Sequence, residues 1–393
     1  MKRIALVNQR YGLEVNGGSE YYTRLIAERL TPYYTVDVIT TKALDYTTWN
    51  NHYSADTEVI NGVNVLRFPT VQPRAKDFDR YNGDYLARMA NGQRDAGEEA
   101  VWFEKQGPYA PGAVDYIRTH KDDYCAFLFV TYLYYLTVKG LPEVADKAIF
   151  IPTAHEEPFI HFLTYETLFQ LPKRFVFLTE EEKHLVQGLF HNEHIPSAVM
   201  GTGVEIPGEP DAERFRTKYG VDNYLVYVGR IDEGKDCPCL FRYFLEYKKR
   251  RPDSDLKLIL MGKAVCDIPD SPDILPLGFV SEEDKFDGIS GAKALILPSK
   301  FESLSISVLE AMALGVPVIV NGACDVLRGH CTRSNAGLYY HNYFEFEGIT
   351  DYLLTHPAVY TQMCRNAKTY IRTNYMWDAI MQKWLTCIDE VTQ

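Results

Sequence analysis

Short apolar runs, each closed by a glycine, a proline or a polar cluster, recur along the whole chain. Those at residues 4–7, 36–40, 59–66, 126–130, 148–152 and 174–178 predict strands buried on both faces, with helical periodicity or irregular polar sequence between them. A second series starts at about Tyr224 and runs through 224–228, 256–261, 275–278, 294–297, 316–320 and 337–340. Strands that alternate with helices form parallel sheets covered on both faces, so the pattern predicts an α/β protein. Two series predict two domains, and 393 residues suit two cores of about 150 to 200 residues each. The boundary is expected near residue 205, giving domains of 1–204 and 205–374 and a closing helix within 375–393.

The stretch 294–320 reads as strand, polar loop, helix and strand. Pro298 stops the first strand, and Ser303, Ser305 and Ser307 supply small hydroxyl residues where a helix needs a cap. Val308, Leu309, Ala311, Met312 and Leu314 give its apolar face, and Gly315 ends it. Glu302 lies in the loop and Glu310 inside the helix, a spacing that is roughly 12 Å even if fully helical. Between them, unpaired N–H groups of a helix N-terminus favour an anion such as a diphosphate. A carboxylate on each side accepts hydrogen bonds from hydroxyls, and a nucleotide sugar has that sequence of groups. The opposing reading is two surface acids near a helix start.

Other strand ends carry further candidates. After the first strand, the loop 11–20 holds Gly17 and Gly18, which let the backbone approach a ligand at a helix N-terminus; the Gly-x-Gly-x-x-Gly dinucleotide spacing is absent. The strand 148–152 exits directly into Thr153-Ala-His155-Glu-Glu-Pro158, and parallel sheets carry ligands at such ends. The strand 224–228 exits into Gly229-Arg230-Ile-Asp-Glu-Gly-Lys235-Asp236, where two cations suit diphosphate charge. Thr179 reads as a helix cap, and Glu180, Glu181 and Glu182 as surface charges that compensate the helix dipole. Residues 69–111 form an irregular polar and aromatic excursion.

A net charge of −12 argues against nucleic acid and against broad adsorption to an anionic membrane. The first apolar run is too short for a signal peptide or anchor. Eight cysteines, of which only Cys237 and Cys239 lie close together, suit free thiols in a reducing cytoplasm better than a zinc site. Asp77-Phe-Asp79 and Asp253-Ser-Asp255 match a cation-holding Asp-x-Asp pattern, but neither follows a long apolar strand. Both read as polar turns, and no metal is expected.

The stretch from Gly229 to Glu310 resembles the Arg, Lys and Glu-x7-Glu pattern of retaining two-domain glycosyltransferases of the GT-B fold, family 4, and the resemblance extends along nearly the whole chain. It implies two Rossmann-like parallel-sheet domains facing a cleft, with the C-terminal helix crossing back to the first domain through Trp377 and Trp384. It implies transfer of a hexosyl group from a nucleotide diphosphate sugar to a hydroxyl acceptor, with retention and without metal or other cofactor. Family frequency favours UDP over GDP.

Residue by residue, the resemblance gives the donor's diphosphate to Arg230 and Lys235, and the sugar to His155 and Glu302. It gives the ribose to Glu310, with Gly17, Gly18, Ser303, Leu304 and Ser305 around the donor and Phe279 on the nucleobase side. Asp236 replaces the usual Gly, and Thr202-Gly-Val-Glu205 replaces Asn-Gly-Val-Asp. The implied partners are a nucleotide sugar and a glycan or lipid-linked glycan acceptor, in cell-surface polysaccharide assembly at the inner face of the membrane. Two rivals stand beside this: a catalytically silent nucleotide-sugar-binding subunit, and a pyridoxal-phosphate phosphorylase, for which no residue pattern speaks.

Overall fold

The structure is a computed structural model that describes residues 1–15 and 17–392. Asn16 of the Gly-Gly loop and Gln393 of the closing segment lie outside the described residues. The chain divides into two compact units, Met1–Gly201 with Met381–Gln393, and Thr202–Ile380.

The first unit holds a sheet of β1 (Arg3–Val7), β2 (Thr35–Thr41), β3 (Thr57–Ile60), β4 (Val63–Phe68), β5 (Ala126–Val130), β6 (Ala148–Ile151), β7 (Arg174–Phe177) and β8 (Ser197–Val199). Their spatial order is β3-β4-β2-β1-β5-β6-β7-β8. Every pairing is parallel except β3 with β4. The run 59–66, expected as one strand, is that antiparallel hairpin. Asn61 and Gly62 take φ of 49° and 84°, the two-residue turn whose twist suits a hairpin.

The excursion 69–111 is also more regular than expected. It contains helices Phe78–Ala90 and Ala96–Gln106, whose Tyr85, Trp102 and Phe103 join an aromatic core with Phe162 and Tyr165. Trp102 meets Phe162 edge-on at 5.1 Å between ring centroids, the arrangement aromatic quadrupoles favour. Asp77 is no free turn residue; it precedes the first of these helices and pairs with Lys105 at 2.8 Å.

The second unit holds β9 (Tyr224–Val228), β10 (Lys257–Met261), β11 (Ile274–Gly278), β12 (Ala294–Leu297), β13 (Val318–Asn321) and β14 (Gly337–Tyr340). The order is β11-β10-β9-β12-β13-β14, parallel throughout. The sequence order reverses between β9 and β12, which opens a crevice at their carboxyl ends.

Residues 202–204, expected in the first domain, belong to the second unit, where Val204 N donates to Tyr375 O at 2.8 Å. The last helix, Trp377–Thr392, contributes to both units: residues 377–380 count with the second and those from Met381 with the first. Trp377 is thus counted with the second unit. It lies against Gly203, where an added Cβ would run into its ring. Trp384, Cys387, Ile388 and Val391 are buried, and Lys173 Nζ donates to Val391 O at 2.9 Å. Among the described residues no helix is long and apolar enough to cross a membrane.

Candidate functional site

The exits of β9 and β12 build one cluster. Gly229 and Gly262, at φ of 150° and 146°, follow β9 and β10; a Cβ on Gly262 would strike the Gly229 carbonyl, so a side chain there would push the neighbouring turn aside. The loop after Gly229 is then folded by Asp232. Its Oδ2 takes the Arg230 guanidinium while its Oδ1 accepts the Lys235 backbone N–H at 2.8 Å. Tyr227 Oη adds a bond to Arg230 O at 2.6 Å. Asp236, standing where a glycine was expected, adopts the left-handed conformation at φ 58° and ψ 27°, which Asp tolerates better than most residues. Its carboxylate pairs with Lys300 at 3.1 Å.

Across the crevice, Asn321 Nδ2 holds Pro298 O at 2.9 Å, and the fully buried His330 donates from Nε2 to Leu304 O at 2.9 Å. Tyr370 Oη lies 3.0 Å from the other ring nitrogen of His330. These bonds fix the loop so that Lys235 Nζ meets Glu302 Oε1 at 2.6 Å. The helix is Ile306–Leu314, and its N-cap Ser305 is left-handed, at φ 67° and ψ 84°, with no side-chain cap bond. This corrects the expectation that the serines cap the helix. N–H groups at a helix start that no N-cap side chain satisfies are the kind of end that suits an anion. Leu304 is buried, so it offers a ligand its backbone and not its side chain.

Glu310, one turn into that helix, is also buried and pairs with Lys285 at 3.1 Å. Burial raises its carboxyl above the ordinary value, and Lys285 opposes the rise. Phe279 follows β11 and is 76% exposed, available to a planar partner.

The first unit carries its own cluster. Gly17 precedes helix Gly18–Leu30 at φ 156°, and a Cβ there would meet the carboxylate of Glu20. That buried carboxylate takes Arg10 Nε and Gln9 Nε2, each at 2.9 Å. At the end of β6, Thr153 is left-handed at φ 52°, an unusual conformation for a β-branched residue. His155 then lies with Nε2 3.3 Å from Glu157 Oε1, and Glu157 also accepts from Tyr132 Oη.

Glu182 is buried beneath this loop rather than on the surface, so of the three acids expected as solvated charges it is the one that departs, Glu180 being exposed and Glu181 half-buried. Its oxygens accept Ala154 N at 2.7 Å and Leu178 N at 2.6 Å. Burial pushes its carboxyl up to about 8, against the pull of those N–H bonds.

The structure thus gathers Lys235, Arg230, Glu302, Ser303, Leu304, Ser305 and Glu310 at one end of the second sheet, while Gly17, Gly18 and His155 belong to the first unit. Sequence reasoning missed Asp232, Lys285, His330 and Glu182. Only two of these left a signal: Asp232, three residues before Lys235, the reach at which a capping Asp accepts a backbone N–H, and Glu182, the fourth residue of a Thr-x-x-Glu capping box.

Residues 222–341 match the family model described as "Glycosyl transferases group 1". The chain is 31% identical over 123 residues to D-inositol 3-phosphate glycosyltransferase of Pseudarthrobacter chlorophenolicus, covering 27% of this chain and 29% of that one. It is 24% identical over 222 residues to an uncharacterized glycosyltransferase of Haemophilus influenzae, covering 54% and 60%. The matched stretches span less than two thirds of these relatives' lengths.

Sucrose-phosphate synthase from Thermosynechococcus elongatus superposes with a TM-score of 0.71 at 15% identity over 100% of this chain and 99% of that one. Anabaena HepE, solved in complex with UDP and glucose, does so with 0.71 at 14% identity over 99% and 100%. The fold of the chain is GT-B.

Proposed function

We propose that this protein is a retaining glycosyltransferase that moves a hexosyl group from a nucleotide diphosphate sugar, with UDP preferred over GDP, to a hydroxyl of a glycan or lipid-linked glycan acceptor. The observation that carries the reading is the convergence of Lys235 on Glu302, at 2.6 Å, beside a helix end with no side-chain cap. The group 1 glycosyl transferase match over this same segment and the UDP and glucose held by HepE support it.

Departure of the diphosphate develops negative charge. Arg230, Lys235 and the N–H groups of the first turn after Ser305 are the cations and dipoles that stabilise it. They supply the role that a divalent ion fills elsewhere, so no metal or other cofactor is required. Glu302 and His155 orient the sugar and Glu310 the ribose. Attack comes from the face the leaving phosphate vacates, with that phosphate taking the acceptor's proton, so no covalent nucleophile is assigned. The setting is polysaccharide or glycoconjugate assembly in the cytoplasm, with at most peripheral contact at the inner face of the membrane.

Nucleotide release from a panel of UDP- and GDP-sugars, measured with wild-type protein and with Arg230→Ala, Lys235→Ala and Glu302→Ala, tests the proposal. The expected result is release from one class of donor and at least a 100-fold loss in each variant with melts nearly unchanged. Equal turnover in all three variants would overturn it. Donor binding without release would make the protein a silent subunit instead.

A further inference from the structure

Glu310 is not alone in its pocket. Lys285 rises from the facing helix Glu282–Gly291 and its Nζ lies 3.1 Å from Glu310 Oε1 and 3.1 Å from Glu282 Oε2. The same ammonium sits 4.2 Å from the centroid of the Phe286 ring. Three neighbours therefore fix it, and its side chain is only 14% exposed. Among the described residues, no hydrogen bond engages Oε2 of Glu310.

A buried carboxylate needs a partner to stay ionised. An ionised carboxylate accepts two hydroxyl donors, whereas a protonated one spends an oxygen as a donor. An ammonium that occupies one oxygen therefore does two things to the other: it keeps it charged and it points it.

We infer that Lys285 is a specificity-determining residue for the nucleoside of the donor, acting through Glu310: it clamps Oε1 so that Oε2 is presented as the acceptor for the ribose hydroxyls. The inference rests on the reading of Glu310 as the ribose-binding carboxylate, and it adds a residue on a different helix that nothing in the Glu-x7-Glu spacing marks. Because Lys285 is argued to act through Glu310, it is a positioning residue. Its loss is felt only by nucleotides that carry the hydroxyls. Glu282 is the outer partner; with 65% of its side chain exposed it restrains the ammonium weakly.

The experiment uses equilibrium binding of UDP and of 2′,3′-dideoxy-UDP, or the GDP pair if the donor panel selects guanosine. The proteins are wild type, Lys285→Met, Lys285→Arg and Glu310→Gln, with melts recorded for each. Wild type is expected to favour the ribonucleotide. Lys285→Met is expected to weaken ribonucleotide binding about tenfold while the dideoxy compound changes less than twofold, collapsing the preference. Lys285→Arg should restore most of it, and in turnover the loss should appear in KM rather than kcat.

Equal weakening of both nucleotides by Lys285→Met, or no weakening of either, would overturn the inference. If Glu310→Gln leaves the preference intact while Lys285→Met abolishes it, the clamp does not act through Glu310 and the inference falls with the ribose reading of that residue. Loss of all nucleotide binding in the wild type points instead to failure of the proposed function.

Discussion

The ammonium of Lys235 and the carboxylate of Glu302, carried on the exits of two adjacent strands, form a direct ion pair at 2.6 Å. Under the proposed function, a diphosphate arriving between them would compete with Glu302 for the lysine, and its sugar would take over the carboxylate. On that reading the pair is the arrangement the two groups take up without donor, each satisfied by the other. Substitution of the two should then differ in kind. Lys235→Met is expected to weaken nucleoside diphosphate binding at least tenfold. Glu302→Gln is expected to leave that binding unchanged or tighter, because Lys235 is released, while lowering turnover at least 100-fold. Titration calorimetry beside nucleotide-release assays checks both. Side-chain exposures of 30% and 13% keep the pair's own contribution to stability to about 1 kcal/mol or less.

Glu182 links pH to stability in the first unit. Its folded value of about 8 lies above the roughly 4.3 of a free glutamate, so the folded state holds the proton more tightly than the unfolded one. Stability from this group is therefore greatest below the unfolded value and declines as pH rises toward 8, by an amount on the order of a few kcal/mol. Urea unfolding of wild type and Glu182→Gln at pH 5 and pH 8.5 isolates the effect. The variant should gain on the wild type at the higher pH; a difference independent of pH would show that Glu182 does not titrate in this window.

The closeness of Gly203 to Trp377 makes a packing prediction. Gly203→Ala places a methyl group into the indole, and overpacking of this kind costs about 1–3 kcal/mol. Trp377→Leu in the same chain should recover part of the loss. Thermal melts of the single and double variants read this directly, and additive losses would contradict it.

Asp236 tests the backbone of the Arg230–Lys235 loop. Its left-handed conformation favours glycine, so Asp236→Gly is expected to be neutral within about 0.5 kcal/mol, a small relief of strain offsetting the partly exposed pair with Lys300. Asp236→Val should cost about 1–2 kcal/mol and lower turnover, since the same turn places Lys235. Melts and nucleotide release of the two variants decide it.

The strand series was legible because buried parallel strands are short unbroken apolar runs. Residues 126–130, 224–228 and 294–297 emerge with the expected bounds. What failed to show were features decided by tertiary partners. Glu182 sits among acids on what reads as a solvated first turn, and only the arrival of Ala154 from another strand end buries it. The serines before Ile306 have cap chemistry, but His330 pulls the Leu304 carbonyl into a geometry that leaves Ser305 left-handed and uncapped. The hairpin at Asn61-Gly62 was readable from its turn residues; its apolar flanks disguised two strands as one. Lys285 lies in an acid-rich helix start that looks like surface, and its partner is twenty-five positions away.

Because the stretch from Met381 onward belongs to the unit begun by Met1, the ribosome finishes all of Thr202–Ile380 before the first unit has its full complement of residues. Until then Trp384, Ile388 and Val391 are absent from the core they fill. A fragment ending at Gly201 would emerge with the apolar surface normally covered by this helix left bare. Expression of the halves as separate linear pieces should yield a sticky, chaperone-dependent N-terminal product, whereas the second unit, continuous in sequence, is the piece to excise.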